Sequence, residues 1–221
     1  AMEEVAARHF QEECFFTWVV SPTVIFGRNQ VMHNEVNLPF CQTHGIQLVR
    51  RKSGGGCVYA DEGNIMLSYI TPTDNDVEHI FARYLGHVVD VLREIGVPAE
   101  ATGRNDILVQ GRKISGNAMY STENRKRTIV HGTMLHSTDI ERMVNAITPS
   151  DEKLAAKGVQ SVRQRVINLS EVSDISIPDL RNRLTESLCN KTFFLTEEMV
   201  VETEGLMQEY LSKDWIDGKF K

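Results

Sequence analysis

Three consecutive glycines follow a basic triplet in Arg50-Arg51-Lys52-Ser53-Gly54-Gly55-Gly56-Cys57-Val58-Tyr59, a run that makes a poor apolar core and a good cradle for an anion. Backbone N–H groups with no Cβ in the way converge on a phosphate or a carboxylate. Arg51 and Lys52 at the mouth of such a loop would hold its negative charge. Three further stretches are too polar to be scaffold alone: Gly103-Arg104-Asn105-Asp106, Lys113-Ile114-Ser115-Gly116-Asn117-Ala118, and the run from Lys157 to Val166. Together they suggest a site that handles phosphate. Neither a G-x-x-x-x-G-K-[ST] nor a G-x-G-x-x-G pattern stands at a strand-to-helix turn, so those two nucleotide loops are excluded. Taken singly, the triglycine run reads equally well as a strained turn, and Lys113 as a solvated lysine beside a hairpin. Cys57, at the end of an anion loop, is a candidate for a thiol of depressed pKa that accepts an acyl group.

The elements that must position these residues are legible from periodicity. Ala1 to Phe10 reads as a helix, and a strand is expected upstream of it. Phe15–Val20 and Thr23–Phe26, separated by Ser21-Pro22, have the pattern of a hairpin. Ile46–Val49 and Ile65–Ile70 read as strands with the glycine loop between them. Apolar residues from Val77 to Ile95 keep the spacing of one helical face, ended by Gly96 and Pro98. Asp106–Gln110, Lys113–Ser115 and Ile129–Leu135 form an antiparallel set by the shortness of their connections. From Asp139 onward the pattern turns helical, at Ile140–Ile147, Pro178–Cys189 and Glu197–Leu211. His131 and His136 fall within a strand pattern and read as structural. One α+β domain with a mixed, largely antiparallel sheet flanked by helices is the economical architecture.

Composition bounds the function. The 221 residues are 41% hydrophobic and 24% charged, an ordinary globular balance that can bury a sizeable core. A net charge of −6 argues against general nucleic-acid binding. The basic residues cluster instead, at Arg112-Lys113, Arg125-Lys126-Arg127, and Arg163 with Arg165. Cys14, Cys41, Cys57 and Cys189 are widely spaced, with no C-x-x-C pair for zinc or redox chemistry, and read as belonging to a reducing, cytoplasmic setting. No apolar run reaches the roughly 18 residues of a membrane span.

Arg50 to Tyr59 with Asp61 and Gly63-Asn64, then Gly103 to Ile107, Lys113 to Ala118, His131-Gly132-Thr133 and Leu154 to Leu169, resemble in order and spacing the signature of the lipoate-protein ligase A family. The likeness runs from the first helix to Trp215. It implies a fold shared with biotin protein ligases and octanoyl transferases. It also implies two half-reactions: lipoate and ATP give lipoyl-AMP and pyrophosphate, and the lipoyl group passes to a lysine of an acceptor. The acceptors so implied are the lipoyl domains of 2-oxoacid dehydrogenase E2 subunits and the glycine cleavage H protein. By the same resemblance Lys113 is catalytic. ATP and the adenylate fall on Arg51, on the backbone of Gly56, Cys57, Val58 and Tyr59, and on Lys113, with Asn64, Asp106 and Thr133 near the nucleotide. Asp106 is a candidate magnesium or ribose contact. Lipoate falls against Gly54, Gly55 and Lys113, and Lys157 to Arg165 resembles a loop that closes over the adenine.

Two departures from the family stand out. Ala60 occupies a position where many members carry a histidine, and the chain stops at Lys221 where full-length ligases continue into a small accessory domain. The 221 residues therefore read as a single catalytic domain, either a piece of a longer chain or an enzyme partnered by a separate accessory protein. Two alternatives stay open: a lipoyl or octanoyl transferase that uses lipoyl-AMP or another activated donor without adenylation, and a non-catalytic lipoate-binding adaptor.

Overall fold

The computed structural model describes residues 1–73, 77–102, 105–122, 126–147 and 165–219. The first helix, α1 (Met2–His9), carries Glu3 and Glu4 in its first turn and Arg8 and His9 in its last, signs that complement the helix dipole. Then come β1 (Cys14–Trp18), β2 (Thr23–Phe26), α2 (Met32–Glu35), α3 (Leu38–Thr43), β3 (Gln47–Arg50), β4 (Val58–Ala60) and β5 (Asn64–Pro72). The long helix α4 (Val77–Glu94) precedes β6 (Ala99–Ala101), β7 (Asp106–Val109), β8 (Arg112–Ser121) and β9 (Arg127–Leu135). Helices α5 (Ile140–Ile147), α6 (Ile177–Leu188), α7 (Glu197–Leu211) and α8 (Lys213–Ile216) complete the described elements, with a 3-10 turn at Leu169–Glu171.

Six strands form one sheet in the order β1-β5-β9-β8-β7-β6, every neighbour antiparallel. A second sheet, β3-β2-β4, pairs β2 with β3 in parallel and with β4 antiparallel. The expected mixed, largely antiparallel α+β architecture is thus present. β7 turns into β8 through Gln110 (φ 52) and Gly111 (φ 73), the two positive φ values that a tight hairpin matching strand twist demands. On one face of the large sheet, Ile80, Tyr84, Leu85, Val88 and Leu92 of α4 pack on Ile65, Leu67, Ile107, Ile114 and Met134, with Leu180 and Leu184 of α6 in the same core. Burying side chains of this size contributes about 1.5–3 kcal/mol each, which is why the helical period of α4 is so readable. Among the described residues, no helix is long and apolar enough to cross a membrane.

Two expectations are corrected. β1 and β2 are not a hairpin, since β1 pairs with β5 while β2 lies between β3 and β4. All four residues of β2 are buried, so it needs a partner on each side, and Ser21-Pro22 carries the chain from one sheet to the other. The strand expected at Lys113–Ser115 runs on to Ser121 because β7 and β9 flank it along most of that length. Arg127, the last of the basic residues 125–127, turns inward. Buried at the start of β9, it donates to the carbonyls of Gln11 and Glu12 and fastens the α1–β1 connection.

Arg50 fills a similar structural role. Its guanidinium donates to the carbonyls of Gly27, Arg28 and Gln30 and to that of Ile216 on α8, while Trp215 returns a bond from its indole N–H to the Arg50 carbonyl at 2.9 Å.

Candidate active site

The glycine run connects β3 to β4. Arg51 sits beneath it: Nε donates to Ser53 Oγ at 3.0 Å, Nη1 to the Ile25 carbonyl at 3.0 Å, and Nη2 to the carbonyls of Gly54 and Gly56, both at 2.7 Å. Burial lowers the pKa of this guanidinium, with Cys57 working the other way, and an arginine keeps its charge in a folded protein. Arg51 therefore shapes the loop and places positive charge under it. Lys52, expected at the mouth of the loop, turns aside to Glu4 at 2.7 Å.

The loop comes so near the β2–α2 connection that a Cβ on Gly27 would lie 2.2 Å from the Gly55 carbonyl oxygen, and Gly55 itself has φ 91. Gly54 and Gly56 are different. A Cβ on either would meet no protein atom within 4 Å, and among the described residues no hydrogen bond is donated by the amides of Gly54, Gly55 and Gly56. Their carbonyls turn to Arg51 while their amides meet no described acceptor, as an anion cradle requires.

Side chains after the loop point inward. Cys57 and Tyr59 pack with the core of Val24, Phe26, Cys41 and Met143, and Val58 packs with Ile25 and Met66. Only their backbone is placed to meet a ligand. Burial, then Glu35, pushes the Cys57 thiol up to about 12 against the pull of Arg51. This corrects the thought of a depressed, nucleophilic thiol. Cys57→Ala is expected to keep the chain's catalytic rate within about twofold in a time course, because a protonated thiol is no nucleophile.

Lys113 rises from β8 with its Nζ 2.8 Å from Asp106 Oδ1 on β7. Its side chain lies across Gly116, where a Cβ would fall 2.6 Å from Nζ and 2.7 Å from Cε. Gly116 is opposite Thr133 on β9, and Thr133 is opposite Met66 on β5, so the amine, Thr133 and Asn64 share one face of the sheet by strand alternation. Asn64 is fully buried there, and among the described residues neither atom of its side-chain amide finds a hydrogen-bond partner. A buried amide left unsatisfied costs about 1–3 kcal/mol, so a ligand that supplied the missing bond would recover that. Asp106 is a lone carboxylate. Among the described residues no group of three His, Cys, Asp or Glu side chains is arranged to hold a metal. The run from Lys157 to Gln164, and Gly103 with Arg104, lie outside the described residues, but the chain returns beside Lys113, with Ile167 N–H donating to the Lys113 carbonyl at 3.1 Å.

His131, two residues along β9 from Thr133, links this face to the loop. Its Nε2 is 2.6 Å from Ser53 Oγ, and its Nδ1 is 3.2 Å from Glu3 Oε2 on α1. Glu3 also accepts from Ser68 Oγ at 2.6 Å, which accepts in turn from the Trp18 indole at 2.9 Å. Burial works to raise the Glu3 carboxyl, but His131 and Ser68 outweigh it and hold the group below the ordinary carboxylate range. Their linkage was not legible, because Ser53 and His131 are 78 positions apart and Glu3 and His131 are 128 apart.

A lysine amine held by a carboxylate, with an open amide loop tied to the same sheet face, defines a site for carboxylate or phosphoryl groups. The lipoyl protein ligase A/B catalytic domain, as a family model, matches residues 1–189. Lipoate-protein ligase LplJ of Bacillus subtilis is 36% identical over 231 residues, covering 99% of this chain and 69% of that protein. Lipoate–protein ligase 1 of Staphylococcus aureus is 36% identical over 228 residues, with the same two shares. Among solved structures, the bi-partite lipoate protein ligase of Thermoplasma acidophilum, described with its E2 lipoyl domain, has a TM-score of 0.91 at 29% identity and is covered over 91% of its length by all of this chain. A lipoate-protein ligase A bound with ATP has a TM-score of 0.85 at 27% identity, with 99% of this chain on 92% of that one. The chain belongs to the lipoyl protein ligase A/B catalytic-domain family, enzymes that ligate lipoate to proteins.

Proposed function

We propose that this chain activates lipoate with ATP to lipoyl-AMP, releasing pyrophosphate, and passes the lipoyl group to a lysine of a lipoyl domain. The observation that carries this reading is the pairing of unoccupied loop amides at Gly54 to Gly56 with the Lys113 amine laid across Gly116. In the first step a lipoate oxygen bonds to the α-phosphorus and the bond to pyrophosphate breaks. In the second, the neutral amine of the acceptor lysine bonds to the acyl carbon, the bond to AMP breaks, and the amine's proton goes to solvent. Lys113 neutralises charge growing on the carbonyl oxygen and on departing AMP, a contribution of about 3 kcal/mol for one well-placed donor. The backbone of Gly56 to Tyr59 takes the nucleotide, with Arg51 adding its field from below, and Asn64 and Thr133 line the adenylate side. Gly54 and Gly55 meet the lipoyl carboxyl. Magnesium is typically carried on substrate phosphates with one or two carboxylates, and Asp106 is the carboxylate that fits. No side chain is needed as a general base, since orientation and a good leaving group suffice. Acceptors of the 2-oxoacid dehydrogenase and glycine cleavage kind suit this chemistry, and the Thermoplasma ligase, described with an E2 lipoyl domain, supports the first.

Incubating the chain with an apo lipoyl domain, lipoate, ATP and magnesium is expected to add one lipoyl mass to the domain and release pyrophosphate. Substituting lipoyl-AMP for lipoate and ATP should give the same product. Transfer from lipoyl-AMP alone would make the chain a transferase that relies on a second polypeptide for adenylation. Transfer from neither donor would leave the adaptor reading.

A further inference from the structure

We propose that Glu3, on the first helix, is a positioning residue for the anion loop, acting through His131 and Ser53 to set Arg51. The inference follows from hydrogen-bond polarity. An ionised carboxylate only accepts, so the Glu3 contact at 3.2 Å fixes the proton of His131 on Nδ1. Ser53 Oγ already accepts from Arg51 Nε at 3.0 Å, and its own proton points to the nearest acceptor, His131 Nε2 at 2.6 Å. With a neutral His131 the donors then run in one order along the whole line: Arg51 to Ser53, Ser53 to His131, His131 to Glu3. With Nε held by Ser53, the Nη2 group of Arg51 braces the carbonyls of Gly54 and Gly56, which turns the glycine amides outward.

Glu, His and Ser in this order are also the parts of a nucleophilic triad. Ser53 is 1% exposed, however, and its oxygen is covered by a guanidinium N–H, so the relay serves the loop beneath which it lies. Glu3 is well anchored for the task. Its second oxygen is held by Ser68, itself held by Trp18, so the carboxylate is fixed from β1, β5 and β9 at once.

Glu3→Gln keeps size and shape while replacing an acceptor by an amide that can donate. The test uses the full chain with nitrogen-15-labelled histidine and arginine side chains and needs no activity for its first two readouts. Wild type is expected to show the His131 proton on Nδ1, assigned by its loss in His131→Asn, and a slowly exchanging Arg51 Nε–H. Glu3→Gln is expected to move the ring proton to Nε2 and speed that exchange about tenfold or more, as for a bond opened to solvent. Ser53→Ala, which cuts the line on its far side, should leave the tautomer unchanged and speed the same exchange. The third readout rests on the proposed function: KM for ATP rises about tenfold in both variants with kcat within about threefold, the mark of a binding loop displaced. A wild-type ring protonated on Nε2, a Glu3→Gln ring unchanged, or a moved proton with wild-type exchange at Arg51 would each overturn the proposal. Absence of lipoylation by wild type would remove the ligase reading and leave the two spectroscopic readouts to decide this one.

Discussion

Lys113→Ala is expected to slow lipoyl transfer from lipoyl-AMP by about 100- to 1,000-fold, the loss that follows removal of one donor aimed at developing charge. Stability should hardly change. The ion pair with Asp106 is part exposed, with side-chain exposures of 39% and 30%, and pairs of that kind contribute about 0–1 kcal/mol. A time course of intact mass on an apo lipoyl domain, run beside a thermal melt, separates the two effects. Lys113→Arg should not rescue the rate, because a planar fork does not put its charge where a compact ammonium does. An undiminished mass gain in the alanine variant would remove Lys113 from the mechanism.

Gly116→Ala is expected to give a protein as stable as wild type and slower by about 10- to 100-fold, because displacing a reacting group by about an ångström is costly to the rate and nearly free to the fold. The atoms that a Cβ would meet, at 2.6 and 2.7 Å, are the Nζ and Cε of Lys113, the movable end of a long side chain, and Asp106 Oδ1 is 3.8 Å away. The lysine must therefore lift off its own strand. Gly27→Ala is the instructive contrast, since the obstructing atom there is the Gly55 carbonyl oxygen at 2.2 Å, and backbone does not swing aside. Melting temperature and transfer rate measured together decide the matter. A Gly116→Ala enzyme with wild-type rate would show that the amine works from some other position.

Much of this architecture was legible in the residues. α4 stood out because a core-facing helix must repeat its apolar face, and the chain from Asp106 to Leu135 announced antiparallel pairing because the two residues expected to form the turn, Gly111-Arg112, leave no room for a crossover. The strand partners of β1 and β2 were not legible. Adjacent extended runs look like a hairpin whether or not they pair, and what separates them here is a demand for burial on both sides of β2. Gly116 misled in the other direction. A glycine inside a strand reads as an end, whereas here it marks the place where another side chain comes close.

At the candidate site, the loop and Lys113 could be found because glycine and lysine are unusual in their settings. Glu3, Ser53 and His131 could not. Two acidic residues opening a helix suggest only the dipole, a serine beside glycines suggests only a turn, and a histidine in a strand suggests only packing. Their meaning depends on the closure of contacts between residues far apart along the chain, which no local pattern encodes.

The guanidinium of Arg50 joins the carbonyls of residues 27, 28 and 30 to that of Ile216, one residue before the glycine loop's own arginine. A displacement applied at α8 reaches the base of that loop through two side chains, the Arg50 guanidinium and the Trp215 indole. Moving α8 would therefore move residues 27, 28 and 30, and with them the ground on which the glycine loop rests.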